Sequence, residues 1–422
     1  VYTWQEPDEK TLSFQREHSA SLRISIVVPA YRTKKEHLEA MLNSVSRQSY
    51  PHWELIVADA GGTAESVQAW AKKNGICLRE AADASNLAEW KDQSIVLCTL
   101  SENKGISANT NAGIELAAGD AVGLLDHDDL LTANALWEMA DCLEKEKKRG
   151  KQKLVLFSDE DKCDKAASRF YEPNFKLDFD GELLLTNNYI CHFTVIETAF
   201  LKELKLRSGF DGAQDYDLML RAYAAGGQFV HVPKVLYHWR CHEASTASNP
   251  QSKRYAYEAG QRALEDYCLR KGWKATVSGL KHLGFYREDY EDSVFCQRPE
   301  IGIWAKPLPG GRDVFGIRHP KGFLVSGLYE NDGSMRYAGL RKGYSGPMHR
   351  AALQQSAPAA DLRSMEVCSA LKERYAQTIA ELKEACQGLP TAAQETKILQ
   401  KSMEFCKEAT AAGYGILWDP QA

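Results

Sequence analysis

Three carboxylates fall within four residues at Asp126-His127-Asp128-Asp129, directly after the apolar run Ala121-Val122-Gly123-Leu124-Leu125. Such a run reads as a strand that carries acid to the edge of a sheet. Carboxylates this close repel one another and lose hydration, which is costly unless a hard cation and an anionic ligand share the site. Mg²⁺ or Mn²⁺ is the expected ion. The plain alternative is an Asp-rich turn capping the helix that starts near Thr132, and the neighbouring segments have to decide between the two. A second acidic strand end follows Leu154-Val155-Leu156-Phe157, in Ser158-Asp159-Glu160-Asp161-Lys162.

The elements that must position these acids are legible in the pattern. Arg23 to Val28 is a β-branched run stopped by Pro29, and it leads through Ala30 and Tyr31 into a stretch where Leu38, Met41, Leu42 and Val45 recur at helical spacing. Trp53 to Ala58 is a second strand, ending at Asp59 and Ala60-Gly61-Gly62, and a helix over 63–73 closes at Asn74-Gly75. A third strand, Ser94 to Thr99, precedes Asn103-Lys104-Gly105 and a helix ended by Gly119. Strands alternating with helices in this way imply an α/β fold with a mostly parallel, doubly wound sheet. Ligands of such sheets sit beyond the carboxyl ends of the strands. Pro29, Ala30, Tyr31, Asp59 and Asp126 to Asp129 all lie at those ends, so one crevice is expected to hold them. No GxGxxG follows the first strand, and Pro29 stands where that turn would be, which excludes a dinucleotide site.

Residues 1–21 are polar without a clear period and read as an N-terminal arm. Phe170 to Asn188 suits a loop-rich substrate wall. Ser208 to Asp217 opens a helix at Leu218, Phe229 to Val232 and Val235 to Tyr237 are strand-like, and a polar loop from His238 leads to a long helix over 253–271. The main domain is expected over 22–275 and an accessory region over 276–422, which carries Ala/Glu/Lys-rich helical stretches at Asp361 to Gln387 and Thr391 to Ala412.

The totals set bounds. A chain of 422 residues with 44% hydrophobic and 26% charged residues suits two soluble domains. A net charge of −5 argues against a nucleic-acid partner, whose phosphates require a basic surface. No run approaches the roughly 18 apolar residues of a membrane span. Eleven cysteines without a CxxC pair read as reduced thiols and fit a cytoplasmic location. Val1 at the first position fits a piece of a longer chain, with other domains expected beside it.

Taken in order, PAYR, IVADAGG, NKGISANTNAGI, LLDHDD, GAQDYDLMLR and YHWRCHEAST make residues 22 to about 250 resemble the family 2 glycosyltransferases of GT-A fold. Within that family the chain is similar to bacterial enzymes that extend cell-surface polysaccharides. Resemblance implies inverting transfer of a sugar from a UDP- or dTDP-sugar to a hydroxyl of a glycan, lipid-linked or on a glycoprotein, assisted by Mn²⁺ or Mg²⁺. It implies a place at the inner face of the membrane, without a span of its own, and self-assembly or association with further transferase domains. Asp128 and Asp126 match the metal and ribose contacts, and His242 matches a late metal ligand. Pro29, Ala30, Tyr31 and Asp59 match the base site, with Asn103, Gly105, Asn111, His127 and Arg240 completing the donor site. Asp215 matches the catalytic base, with Gly212 and Gln214 on the acceptor side. Asp159 and Asp161 are further candidates for sugar hydroxyls.

The chain departs from the family pattern in three places. Ala58-Asp59-Ala60-Gly61 replaces Asp-Asp-Gly-Ser, Thr110 stands at a customary Arg, and Gln214 replaces a Glu. The C-terminal region resembles part of a second, degenerate transferase module. Two other functions compete: a sugar-nucleotide-binding scaffold without catalysis, and a nucleotidyltransferase whose triphosphate would rest on Arg32, Lys34 and Lys35.

Overall fold

A computed structural model describes residues 2–82, 89–241, 254–280 and 283–290, together with the strand segments 303–308, 312–319, 322–329 and 415–418. The chain divides into two units, Val1–Tyr267 with Gly279–Phe285, and Cys268–Ser278 with Tyr286–Ala422.

The first unit opens with helix α1 (Glu9–Glu17), where a plain arm was expected. Asp8 caps it by accepting from the Thr11 N–H at 2.7 Å, and Leu12 and Gln15 are its buried residues. One apolar position over two turns is too weak a stripe to read as a helix in sequence. Tertiary contacts dock it: Ser49 Oγ donates to Gln15 Oε1 at 2.7 Å, and Trp137 Nε1 donates to the His18 carbonyl at 3.2 Å.

The sheet is built on β1 (Ile24–Ala30), a β-branched run that is buried almost throughout. It pairs in parallel with β2 (Trp53–Asp59) on one side and β5 (Ala121–Leu124) on the other. Beyond β2 lie β4 (Ser94–Thr99) and the short edge strand β3 (Cys77–Glu80), both parallel. Helices α2 (Lys35–Ser46), α3 (Ala64–Asn74) and α4 (Ile106–Leu116) make the crossovers. In α4 a Cβ on Gly113 would come within 2.7 Å of Val27 Cγ1, so glycine permits the close approach of helix to sheet.

The other half of the sheet is mixed. β6 (Leu130–Leu131) follows the acidic turn, and α5 (Ala135–Lys148) leads to β7 (Leu154–Cys163). β8 (Phe170–Asn174), α6 (Gly181–Leu184), β9 (Thr194–Glu197), α7 (Thr198–Leu204), α8 (Gln214–Ala224), β10 (Gln228–Arg240) and α9 (Arg254–Arg270) complete the order. β9 enters antiparallel between β5 and β7, and β10 runs parallel to β7 and antiparallel to β6. β10 is one strand where two were expected. Its register with β7 shifts between Val232 and Val235, around Pro233, which has no N–H for a ladder bond.

One buried carboxylate ties the parallel half together. Glu54, 1% exposed near the start of β2, receives Ser25 Oγ at 2.7 Å, the Ala118 N–H at 3.0 Å and Arg79 Nη2 at 2.6 Å. Arg79→Ala leaves that charge unpaired and is expected to destabilise the fold by about 3–5 kcal/mol. The guanidinium unfolding midpoint measures this, and an unchanged midpoint would remove the pair from the stability of the domain.

In the remainder of the chain, β11 (Ala275–Gly279) and β12 (Tyr286–Tyr290) form a two-stranded sheet. β13 (Ile303–Leu308), β14 (Arg312–His319), β15 (Gly322–Tyr329) and β16 (Gly415–Trp418) form an antiparallel sheet centred on β14. The helical stretches expected over 361–387 and 391–412 lie outside the described residues.

Candidate active site

β5 ends at Leu124, and the acidic turn that follows is held from below by β10. The Tyr237 hydroxyl donates to Asp129 Oδ2 at 2.6 Å and lies 3.5 Å from the Asp126 N–H. Asp129 Oδ1 accepts the Arg240 N–H at 2.7 Å, and Arg240 Nε donates to the Asp128 carbonyl at 2.5 Å. Asp129 is thus a buried brace, 1% exposed, while the Asp126 side chain is 45% exposed. Arg240 was expected to touch phosphate. It is instead 2% exposed, with Nη1 donating to the Lys165 carbonyl at 2.6 Å, and it locks the turn to the β7–β8 connection.

Electrostatics in the turn are strained in the sense a cation would relieve. Surrounding protein raises the Asp126 carboxyl, His192 pulls it down, and Asp128 raises it again, with Asp215 adding to the rise. Burial, then Asp128 and Asp126, push Asp129 well above its ordinary range. Two hard oxygen donors in a crowded acidic turn fit Mg²⁺ or Mn²⁺. Among the described residues no group of three His, Cys, Asp or Glu side chains is arranged to hold a metal alone. Such an ion would therefore depend on ligand oxygens for the rest of its shell. His242, the other metal candidate, lies outside the described residues.

Across the carboxyl ends of β1 and β2, Tyr31 is 40% exposed with its ring beside Gly61, and the Arg32 guanidinium lies 5.0 Å from the ring centroid. Pro29 and Ala30 are the last residues of β1, paired with Ala58 and Asp59. A flat open ring at this position can stack on a base. Asp59 does something other than the expected contact with a base N–H. It is 1% exposed and accepts the Gly61, Thr63 and Ala64 N–H groups at 3.0, 3.1 and 2.8 Å, which caps α3 and shapes the glycine turn against Tyr31.

At the start of α4, Asn103 Oδ1 accepts the Gly105 N–H at 3.0 Å and Asn109 Nδ2 at 2.8 Å. Gly105 has φ +96° and lies against the Asp211 carboxylate, whose Oδ1 accepts the Ser107 N–H at 3.3 Å. Asn111 departs from its expected donor contact: both ends of its amide bridge the Leu206 backbone, at 2.8 Å each. Thr110, at the position of the missing Arg, is buried and donates to the Ile106 carbonyl at 2.7 Å. His127 is half-buried beside the acidic turn, and its Nδ1 has no partner among the described residues.

Asp215 occupies the first turn of α8, which begins at Gln214, four residues earlier than the sequence suggests. Gln214 Oε1 accepts the Gly212 N–H at 2.8 Å, and Gly212 has φ +97° with the Tyr255 ring packed where a Cβ would go. Asp215 Oδ2 accepts Asn188 Nδ2 and Cys191 Sγ, each at 2.9 Å. Asp217, by contrast, is 1% exposed and forms the expected pair with Arg221 at 2.9 Å, shared with Arg207.

Asn188, Cys191, His192 and Tyr237 were not singled out in sequence. They share no motif, and only the approach of 188–193 to α8 and the acidic turn gives them a role. His192 Nε2 is 4.0 Å from Asp126 Oδ2, and the ring stacks on Tyr237 at 4.9 Å. Burial pulls the His192 ring down, but Cys191 and Glu160 outweigh it and hold the imidazole above its ordinary value.

The acids of β7 are not at a strand end, because the strand continues to Cys163. Asp159, 3% exposed, accepts the Lys176 N–H and His231 Nε2, both at 2.8 Å. Asp161 is fully buried between His238 Nδ1 at 2.5 Å and the Tyr2 hydroxyl at 2.6 Å. Neither is open to a sugar, contrary to expectation: once β10 and β8 pair alongside, these carboxylates can persist only with internal donors.

Glu160, between them, faces Lys176 Nζ at 3.4 Å and His192 Nδ1 at 3.3 Å. Burial would raise its carboxyl, yet Lys176 and His192 outweigh it and lower it to about 2. A carboxyl depressed below its unfolded value of about 4.3 adds stability that is full above that pH and lost as pH falls toward about 2. Glu160→Gln is expected to remove stability on the order of 2–3 kcal/mol at pH 7. Urea midpoints at pH 7, 5 and 3 should then fall less with acid in the variant than in the parent; parallel curves would refute the assignment.

Residues 25–205 match the sequence model of the family described as Glycosyl transferase family 2. Over these residues the chain is similar to the family 2 glycosyltransferases. Its α/β sheet, parallel across β3, β4, β2, β1 and β5, is of the class that the alternation of strands and helices predicts. The chain is 36% identical over 255 residues to the uncharacterized protein y4gI of Sinorhizobium fredii, covering 60% of this chain and 26% of the relative. It is 34% identical over 256 residues to the O-antigen biosynthesis protein RfbC of Myxococcus xanthus, covering 60% of this chain and 19% of that protein. The chain thus spans 26% and 19% of the length of these two relatives. Among solved structures, S. aureus TarS 1-349 in complex with UDP-GlcNAc matches with TM-score 0.44 and 20% identity, over 59% of this chain and 67% of that one. Among the described residues no helix is long and apolar enough to cross a membrane.

Proposed function

We propose that this glycosyltransferase domain moves a hexosyl or deoxyhexosyl group, with inversion, from a UDP- or dTDP-sugar to a hydroxyl of a growing cell-surface glycan. One observation carries the reading: Cys191 contacts Asp215 at 2.9 Å while the adjacent His192 comes within 4.0 Å of Asp126, which brings the proposed base and the donor-side acid close together. The relative named for O-antigen biosynthesis supports the glycan class.

In this reading the nucleobase stacks on Tyr31, and Asp126 meets the ribose or a metal-bound water. Asp128, with Asp126, would hold Mg²⁺ or Mn²⁺, which when bound neutralises charge on the departing diphosphate. Asp215 takes the acceptor hydroxyl proton as that oxygen bonds to the anomeric carbon. The bond from that carbon to the diphosphate oxygen breaks, and the nucleoside diphosphate leaves with the electron pair. A carboxylate on the face opposite the leaving group is what inversion requires. Lipid-linked acceptors, work at the inner membrane face and an accessory role for the C-terminal region belong to the same proposal.

The test is release of nucleoside diphosphate from UDP-glucose, UDP-N-acetylglucosamine and dTDP-rhamnose with glycan acceptors, with and without Mn²⁺. Stabilisation by the productive donor in a thermal shift should accompany turnover. Binding without turnover would favour a scaffold, and pyrophosphate from a nucleoside triphosphate plus sugar phosphate would favour a nucleotidyltransferase.

A further inference from the structure

A carboxylate that serves as base must keep one oxygen available and hold its plane still, and both conditions depend on what its other lone pairs do. Asp215 has about four acceptor sites on two oxygens. Oδ2 receives two donors, Asn188 Nδ2 and Cys191 Sγ, each at 2.9 Å. Oδ1 receives the N–H of Tyr216 at 2.8 Å. Among the described residues, that fills both positions on Oδ2 and one on Oδ1.

We propose that Asn188, assisted by Cys191, is a positioning residue that saturates Oδ2 of Asp215 and leaves Oδ1 as the atom that accepts the proton of the acceptor hydroxyl. The inference rests on the reading of Asp215 as base. The orientation of the Asn188 amide is not arbitrary, since reversing it would set its oxygen against a carboxylate oxygen. Its Oδ1 is buried without a partner among the described residues, so the contact with Asp215 is what holds the amide. Burial, then Asp215, push the Cys191 thiol up to about 12, so the thiol keeps its hydrogen and remains a donor. Both donors come from the segment that carries His192 to within 4.0 Å of Asp126, so the spacing of base and donor site is set by one short stretch of chain.

Kinetics with whichever of UDP-glucose, UDP-N-acetylglucosamine or dTDP-rhamnose turns over provide the test. Asn188→Ala is expected to lower kcat about 10- to 100-fold, the effect of losing one hydrogen bond to a charged group, with the donor KM within about 2-fold. Cys191→Ser, which keeps a donor, should retain most of kcat, and Cys191→Ala should lose more. Asn188→Ala combined with Asp215→Asn should be no slower than Asp215→Asn alone, because the amide acts only through the carboxylate. Multiplying losses in the double variant, or wild-type kcat in Asn188→Ala, would overturn the positioning role while leaving Asp215 as base. Full activity in Asp215→Asn would overturn the base reading and this inference with it, and absence of turnover with every donor would overturn the transferase proposal itself.

Discussion

Asp215→Asn is expected to lower kcat by about 10³-fold or more while nucleotide-sugar affinity stays within about 3-fold. An amide has the shape of the carboxylate but cannot take a proton at neutral pH, and general base catalysis is worth roughly 10²–10⁴-fold. The variant should fold. Asp215 lies at the half-buried first turn of α8, and the change takes away a single acceptor, that of the Tyr216 N–H. Asn188 and Cys191 can still donate to the remaining oxygen. Isothermal titration with the productive donor, set beside steady-state rates, separates the two effects. A fall in affinity as large as the fall in rate would make Asp215 a binding residue, and an unchanged rate would place the base elsewhere.

Asp128→Ala is expected to abolish the response to Mn²⁺ or Mg²⁺ and to lower turnover by about 10²–10³-fold, matching the loss caused by a chelator in the parent. The leaving diphosphate gains charge as the glycosidic bond breaks, and charge stabilisation at such a centre is worth several kcal/mol. Asp128 is the choice for the test because Asp129 is bound to Tyr237 and to the Arg240 N–H. Replacing Asp129 would disturb the turn itself. Thermal shift with UDP provides a readout independent of turnover: the added stabilisation by Mn²⁺ should vanish in Asp128→Ala. If chelation leaves the parent fully active, the acidic turn acts without a metal.

The two experiments together address the spacing of the site. Asp126 lies within electrostatic reach of His192, Asp128 and Asp215, so a change of charge at one of them is felt at Asp126. A variant at one end is therefore expected to alter the other modestly, whereas the losses described above are large enough to be assigned.

How much of this was legible in the residues varied with distance along the chain. The alternation of strands and helices from β1 to β5 and the acidic turn after Leu125 were readable because each depends on backbone preference and apolar periodicity within a dozen residues, although β1 runs on through Pro29 to Ala30 where a stop was expected. The placement of Asp215 at a helix start followed from its glycine-rich lead-in. By contrast, β3 was missed because Cys77-Leu78-Arg79-Glu80 is short and polar at a sheet edge, and β7 was cut at Phe157 because its acids resemble a strand end.

Sequence by itself determined the fold class and the family resemblance, since these follow from local pattern and ordered motifs. Only the tertiary structure decided which carboxylates remain available. Asp59, Asp129, Asp159 and Asp161 are engaged internally, each by donors that arrive from a turn, a neighbouring strand or the N-terminal arm, while the Asp126 side chain stays partly exposed. The physical reason is that a charged group is tolerated out of water only when donors surround it, and those donors come from parts of the chain that no local pattern connects. Asn188 and Cys191 show the same rule from the other side. They are unremarked polar residues in sequence, and only the fold sets Asn188 Nδ2 and Cys191 Sγ 2.9 Å from Asp215 Oδ2.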